Sequence, residues 1–307
     1  MALRTCSGGG MQRVVGAALG TLRLRGFARS ASETATSGSG TGSDVNFGYT
    51  QVPRTEHKDL VKDVFNKVAT SYDVMNDFMS FFMHRAWKDK LVETLHPFPG
   101  QVHIDVAGGT GDVAFRVLKE IRKAEHVFEV QQHKAYETAD QGSVYVCDIN
   151  GAMLEEGKKK ADSLDVPGVA EGLQWVESDA ESLPFDDNSF DTYSISFGIR
   201  NVSNIGKGLE EAHRVLRKGG HFCCLEFSQV NSEVLRKVYD LYSMNVIPHI
   251  GSAVAGDGKS YRYLVESIRK FPDQETFSEM IRAAGFSQVR HENLLDGVVA
   301  IHSGFKM

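Results

Sequence analysis

The stretch Gln101-Val-His-Ile-Asp105-Val-Ala-Gly108-Gly109-Thr110-Gly111-Asp112 decides how this chain folds. Gln101 to Ala107 carries Val, Ile and Val in short order and predicts a strand. Glycines follow at once, and an apolar-periodic helix opens at Asp112 and runs to about Arg122. Glycines let the backbone approach a ligand closely, and the N–H groups of the helix N-terminus face it. The spacing is D-x-A-x-G-x-G. A dinucleotide fold wants G-x-G-x-x-G with an acid about 20 residues on. Only a loose G-x-G-x-x-A fit exists here, from Gly109 to Ala114.

Strands and helices alternate onward from that turn. Ser143 to Cys147 reads as a strand that ends at Asp148. Asn150 to about Asp162 reads as a helix with Asn150 as its cap. Leu173 to Glu177 and Phe190 to Phe197 are strands. Ile205 to Arg217 is a helix closed by Gly219-Gly220, and His221 to Phe227 is the next strand. Helices at about 231–247, 259–270 and 273–284 follow. Phe286 to Glu292 and Val298 to Ser303 finish the chain as strands. Such alternation predicts an α/β fold with a mainly parallel sheet covered on both faces. Upstream, 56–70, Asp73 to about Met83, and His84 to Leu95 read as helices, so residues 51–98 form a helical cap. Residues 124–142 are polar and aperiodic and read as a surface insertion. Residues 51–307 form one domain.

The formal net charge of −6 on 307 residues averages two unlike parts. Residues 1–32 hold Arg4, Arg13, Arg23, Arg25 and Arg29 with no acid, a charge of +5; the rest carries −11. Arg without acid among Ser, Ala and Gly is the composition of a mitochondrial or plastid transit peptide. Val14 to Leu22 is far short of a membrane span. Residues 33–50 read as a flexible linker. The acidic body argues against a nucleic-acid partner. Cys147, Cys223 and Cys224 lack framework spacing, which suits a reducing compartment. With no CxxC, and with only His221-Phe-Cys-Cys224 as a cluster, no metal site is expected.

Four strand ends converge on one edge of such a sheet. Asp148 is placed to accept hydrogen bonds from ribose hydroxyls. Ser178-Asp179-Ala180-Glu181 follows the third strand; Asp179 can take the exocyclic amine of adenine, and the Ala180 N–H can read the ring. Ser196 borders the same edge, where open α/β sheets bind ligands. Each acid alone is as readily a helix cap or surface charge. Acids closing three successive strands beside Asp105, Gly108, Gly109, Thr110 and Gly111 form a nucleotide-cofactor constellation.

This pattern resembles the class I S-adenosylmethionine-dependent methyltransferases, with a Rossmann-like seven-stranded sheet. Two stretches narrow it. Tyr72 to Trp87 (YDVMNDFMSFFMHRAW) and Arg214 to Ser228 (RVLRKGGHFCCLEFS) resemble the two signatures of the ubiquinone/menaquinone biosynthesis C-methyltransferases. The second departs from the family pattern at Arg217-Lys218, where the family has Lys-Pro. Phe197-Gly-Ile-Arg-Asn201 stands intact. The likeness covers about residues 47–307. It implies S-adenosylmethionine as cofactor and methylation of a ring carbon of a polyprenyl benzoquinol. It also implies a peripheral place on the matrix face of the mitochondrial inner membrane, beside other coenzyme Q biosynthesis enzymes in a complex.

A sulfonium methyl is already electrophilic, whereas a ring carbon is a weak nucleophile until an adjacent phenol, with a pKa of about 10, loses its proton. Arg200 can stabilise the developing oxyanion and Asn201 can orient it. Glu226 can act as base or as partner to Arg200. His84 is a base if the cap folds over the site, and a structural hydrogen bonder otherwise. Tyr72 can donate to a quinol oxygen or simply pack. Met75, Phe78, Met79, Phe81, Phe82 and Met83 form an apolar segment for a prenyl tail, or a buried helix. Two other functions stay open: an NAD(P)-dependent oxidoreductase, discriminated by nicotinamide binding, and a non-catalytic assembly subunit, discriminated by methyl transfer.

Overall fold

A computed structural model describes residues 44–68, 76–77, 80–132, 141–163, 169–237, 241 and 258–307. The arginine-rich segment, Tyr72, Met75, Phe78, Met79 and most of 231–247 lie outside the described residues.

The quoted stretch forms β3 (Val102–Val106) and opens α3 (Asp112–Gln132). Around β3 stand β4 (Ser143–Asp148), β5 (Leu173–Glu177), β6 (Phe190–Ser196), β7 (Leu216–Phe227), β8 (Ser287–Leu294) and β9 (Val299–Phe305). They form one seven-stranded sheet in the order β5-β4-β3-β6-β7-β9-β8. Only the β7–β9 and β8–β9 pairings are antiparallel. The strand order reverses between β3 and β6, which opens a crevice at their carboxyl ends.

Alternate residues of each strand feed two cores. On one face Leu91, Val117, Leu118, Val144, Val146 and Cys223 pack with α2 (Met83–Leu95), α3 and α4 (Gly151–Ser163). On the other, Ile104, Tyr193, Ile195, Phe222 and Cys224 pack against α5 (Ile205–Val215) and α6 (Gln274–Ala283). The adjacent Cys223 and Cys224 thus belong to opposite cores. Asn150 caps α4, accepting from the N–H groups of Ala152 at 3.0 Å and Met153 at 3.2 Å.

Three expectations need correction. The linker does not extend to residue 50: β1 (Asp44–Phe47) and β2 (Thr50–Pro53) form a hairpin leading into α1 (Arg54–Val68). It is held from outside, by stacking of Phe47 on Tyr263 and by the Tyr49 N–H on Glu266. Nor does α3 stop near Arg122. It runs through the first half of the expected insertion to Gln132, because Glu125 is buried in a structural role. Its carboxylate accepts from the N–H groups of Gly142 (2.6 Å) and Gly100 (3.2 Å) and pairs with Arg122 (2.7 Å). Finally, the helix ending at Gly219-Gly220 stops at Val215, and β7 begins at Leu216. Between the pairs Phe190–Leu216 and Thr192–His221 the register jumps by a bulge. Gly219 sits there at φ +80°, with its N–H on the Lys306 carbonyl at 2.6 Å.

Candidate active site

The crevice holds about 1050 Å³ up to its open mouth. Its floor is the turn after β3: Asp105, Gly108, Gly109 and Thr110. Asp148 and Asn150 come from β4 and its loop, Asp179 and Ala180 from the loop after β5, and Ser196 and Asn201 from the end of β6. Of the predicted cofactor residues, only Gly111 is missing from the wall. At φ +81°, it turns the chain where any Cβ would come 2.7 Å from Trp175. Its role is to seat the helix on the sheet.

Ala107 and Phe197, the residues that follow β3 and β6, both have positive φ (53° and 55°). Such strained non-glycine residues gather at functional sites. The loop after β5 is clamped from α5. Glu211 accepts from the Leu183 N–H, and Arg214 donates to the carbonyls of Leu183 and Phe185. The first residue of the second family-like stretch therefore braces the loop after β5.

The acids differ in state. Burial pushes Asp105 up to about 7, against a hydrogen bond from Ser194 (2.6 Å). Asp105 Oδ2 is buried with no partner among the described residues. Burial also raises Asp148 to about 6, opposed by the N–H groups of Asn150 (2.8 Å) and Gly109 (2.9 Å). Burial alone would raise Asp112, but Lys88 and then Arg116 outweigh it and hold that carboxyl at about 2.

α1, part of the expected helical cap, closes the cleft from above, through residues that were not singled out from sequence. Val61 and Phe65 face inward, and Lys58 and Lys62 line the rim. Lys58 pairs with Asp179, Arg54 with Glu181 at 2.9 Å, and Lys62 with Glu177 at 3.8 Å. The cleft also contains Lys88 from α2, nearly fully buried and bonded to Asp112 at 2.8 Å. Its signal was a lysine on the apolar stripe of an amphipathic helix.

The predicted catalytic residues are only partly brought together. Asn201 lines the cleft. Arg200 lines an adjoining cavity that shares Val202 and Ser203 with it. The Arg200 side chain is 5% exposed; its Nη1 donates to Glu226 (2.7 Å) and to the Phe197 carbonyl (2.6 Å). Glu226 is therefore a partner of Arg200, fully paired at its Oε1 by that bond and the Phe227 N–H at 2.8 Å. Tyr263, not singled out from sequence, donates to Asn201 Oδ1 at 3.0 Å and so leaves the Asn201 amide N–H groups for other acceptors. His84 is not brought to the cleft. It is buried against Asp77 at 2.8 Å, and burial lowers its pKa despite that partner. On α2 the residue one turn onward, Lys88, reaches the cleft instead. Phe81 and Phe82 have left-handed backbone (φ 48° and 64°) and are 68% and 58% exposed, so the apolar segment is not a continuous buried helix.

Two of the three cleft-lining residues with a buried polar atom that lacks a hydrogen-bond partner among the described residues, Asp105 and Ser196, suit an adenosyl amino-acid cofactor. Asp105 Oδ2 and the buried, unpartnered Ser196 Oγ await hydrogen-bonding groups. Lys88 and the acids beside it match a zwitterionic head group, and Asp148 retains lone pairs for a diol.

The family model described as the ubiE/COQ5 methyltransferase family matches residues 52–306. A protein from Oryza sativa subsp. japonica named "2-methoxy-6-polyprenyl-1,4-benzoquinol methylase, mitochondrial" is 53% identical over 86% of this chain and 88% of its own length. Proteins of the same name are 50% identical in Rattus norvegicus, over 94% of both chains, and 52% identical in Homo sapiens, over 86% of this chain and 85% of that one. Among solved structures, a complex of the Haloferax volcanii Trm112 methyltransferase activator with a methyltransferase aligns with a TM-score of 0.50 at 16% identity. It covers 78% of this chain and 96% of that one, a likeness of fold.

Proposed function

The chain belongs to the ubiE/COQ5 methyltransferase family and is an S-adenosylmethionine-dependent C-methyltransferase of ubiquinone biosynthesis; from that premise we propose that its substrate is 2-methoxy-6-polyprenyl-1,4-benzoquinol. The observation that carries the reading is the junction at the end of β6, where Ser196 and Asn201 line the cofactor cleft and Arg200 stands directly behind. When bound, the cofactor supplies an electrophilic methyl group. The protein's task is to ready the ring and aim it.

Asp105, Gly108, Gly109 and Thr110 would hold the amino-acid portion of the cofactor, with Lys88 as a cation for its carboxylate. Asp148 would hold the ribose, and Asp179 and Ala180 would read the base. Asn201, its carbonyl oxygen tied to Tyr263, donates an amide N–H toward a quinol oxygen. Arg200 supplies positive potential that favours the phenolate over the phenol. Glu226 keeps that guanidinium in place. It is not the proton acceptor, since its charge is already matched.

Mitochondrial placement follows the relatives' names. We place the enzyme on the matrix side of the inner membrane, with residues 1–32 as the import signal. No described helix is long and apolar enough to cross a membrane. Peripheral contact is made by the exposed Phe81 and Phe82. Other coenzyme Q enzymes are the protein partners.

The test is single-turnover methyl transfer to a short-tail benzoquinol lacking the ring methyl, read by mass spectrometry. One added methyl on ring carbon is expected. Tight cofactor binding with no transfer to any quinol would overturn the substrate assignment.

A further inference from the structure

Five polar side chains lie in a row inside the apolar sheet. Gln101, His103 and Asp105 alternate along and just before β3; Thr192 and Ser194 alternate along β6. The strands pair His103 with Thr192 and Asp105 with Ser194, so all five share one face. All are buried, at 0–2% exposure. Gln101 Nε2 contacts Thr192 Oγ1, which is 2.7 Å from His103 Nδ1. His103 Nε2 is 3.0 Å from Ser194 Oγ, which is 2.6 Å from Asp105 Oδ1.

One end of this row has a fixed hydrogen direction, and a single aligned arrangement continues from it. The Phe98 N–H can only donate, and it does so to Gln101 Oε1 at 2.9 Å. That fixes the amide, leaving Nε2 to donate to Thr192. In the aligned arrangement the threonine hydroxyl, accepting from Gln101, gives its one hydrogen to His103 Nδ1. The imidazole, neutral in this dry setting, then carries its hydrogen on Nε2 and donates it to Ser194. Ser194 in turn donates to Asp105. We propose that this row is a polarised relay, with His103 as positioning residue, that orients Asp105 and favours its carboxylate form, leaving Oδ2 free to accept from the cofactor. Chains of aligned hydrogen bonds reinforce one another in a low dielectric. The inference rests on the reading that Asp105 faces the cofactor.

Burial works against the relay by favouring the protonated acid. The other groups facing Asp105 are Lys88 on α2, which favours the carboxylate, and Asp112 on α3 and Asp148 on β4, which oppose it; the Cys147 thiol on β4 and the Tyr193 phenol on β6 are held neutral by burial and add no charge. Cofactor affinity therefore falls as the pH drops through the Asp105 titration, and each broken link of the relay moves that midpoint upward.

The experiment is calorimetric binding of S-adenosylmethionine to the full chain across neutral pH. Ser194→Ala removes a charge-assisted hydrogen bond and is expected to weaken binding about tenfold near neutrality and to raise the midpoint by about one pH unit. Thr192→Val touches neither Asp105 nor the cleft, yet should move the midpoint the same way by less, with Thr192→Ser restoring it. A Thr192→Val midpoint equal to wild type, with Asp105→Asn binding weakly, overturns the relay and leaves the reading of Asp105 standing. Asp105→Asn binding at wild-type strength overturns both. Should Thr192→Val fail to fold, nitrogen NMR of the unliganded wild type decides. A neutral His103 with hydrogen on Nε2 supports the relay, and hydrogen on Nδ1 or on both nitrogens overturns it.

Discussion

At the scale of single residues, charge pairing separates functional from structural roles. Arg200 was legible as a candidate from its place after a strand in the run Phe197 to Asn201. Its pairing with Glu226 was legible only as one of two alternatives for that acid, because the two are 26 positions apart in sequence and their burial together is a tertiary property. The pairing changes what a substitution does. Arg200→Ala leaves a buried carboxylate uncompensated and should cost roughly 3 kcal/mol or more of stability. Adding Glu226→Gln should recover much of that without recovering methyl transfer. Thermal unfolding and turnover of the single and double variants check both parts; a double variant as active as wild type would remove Arg200 from the mechanism. The polar row through His103 was written in the sequence as polar residues at every second position of two buried strands. Its meaning needed the register that sets Asp105 opposite Ser194.

At the scale of elements, α1 was predicted but its target was not. Periodicity placed Val61 and Phe65 on an apolar face. That this face roofs the cleft depends on ion pairs with the loop after β5. Those pairs are weak individually: Lys58 and Asp179 are 35% and 29% exposed, and Arg54 is 34% exposed against a buried Glu181. At roughly 0.2–1 kcal/mol each, their joint loss in Arg54→Met/Lys58→Met should speed cofactor release by no more than about thirtyfold. Salt should speed release from wild type in the same sense. Stopped-flow displacement measures both, and a salt-independent rate unchanged in the double variant would mean α1 is no latch. The bulge in β7 shows the opposite limit. Gly219-Gly220 looks like a helix terminator locally, yet the pair belongs to a strand because Lys306, near the other end of the fold, bonds there.

Across the whole molecule, buried histidines and buried aspartates pull stability in opposite directions with pH. Burial lowers His103 to about 3, and His221 and His302 to about 4. Below the ordinary histidine value of 6.5 the unfolded chain binds protons that the folded chain refuses, so these groups make stability fall as pH falls from about 6.5 toward 4. Asp105 and Asp148, raised to about 7 and 6, bind protons in the folded state first and act the other way over about 4 to 7. Three strongly shifted histidines against two aspartates should give a net loss of melting temperature on acidification over that range. Asp105→Asn should steepen the loss, because it removes an opposing group; a melting temperature flat across the window would contradict this balance. By itself, the sequence determined the alternating fold, the glycine-rich turn, the strand-end acids and the family, because those rest on local periodicity and short contiguous motifs. Only the tertiary structure decided that Lys88 and not His84 reaches the cleft, that Gly111 seats Trp175, that Glu226 neutralises Arg200 and that a hydrogen-bonded row ends on Asp105. Each of these depends on the distance between residues far apart in the chain and on the loss of water around them, and neither quantity is carried by a local pattern.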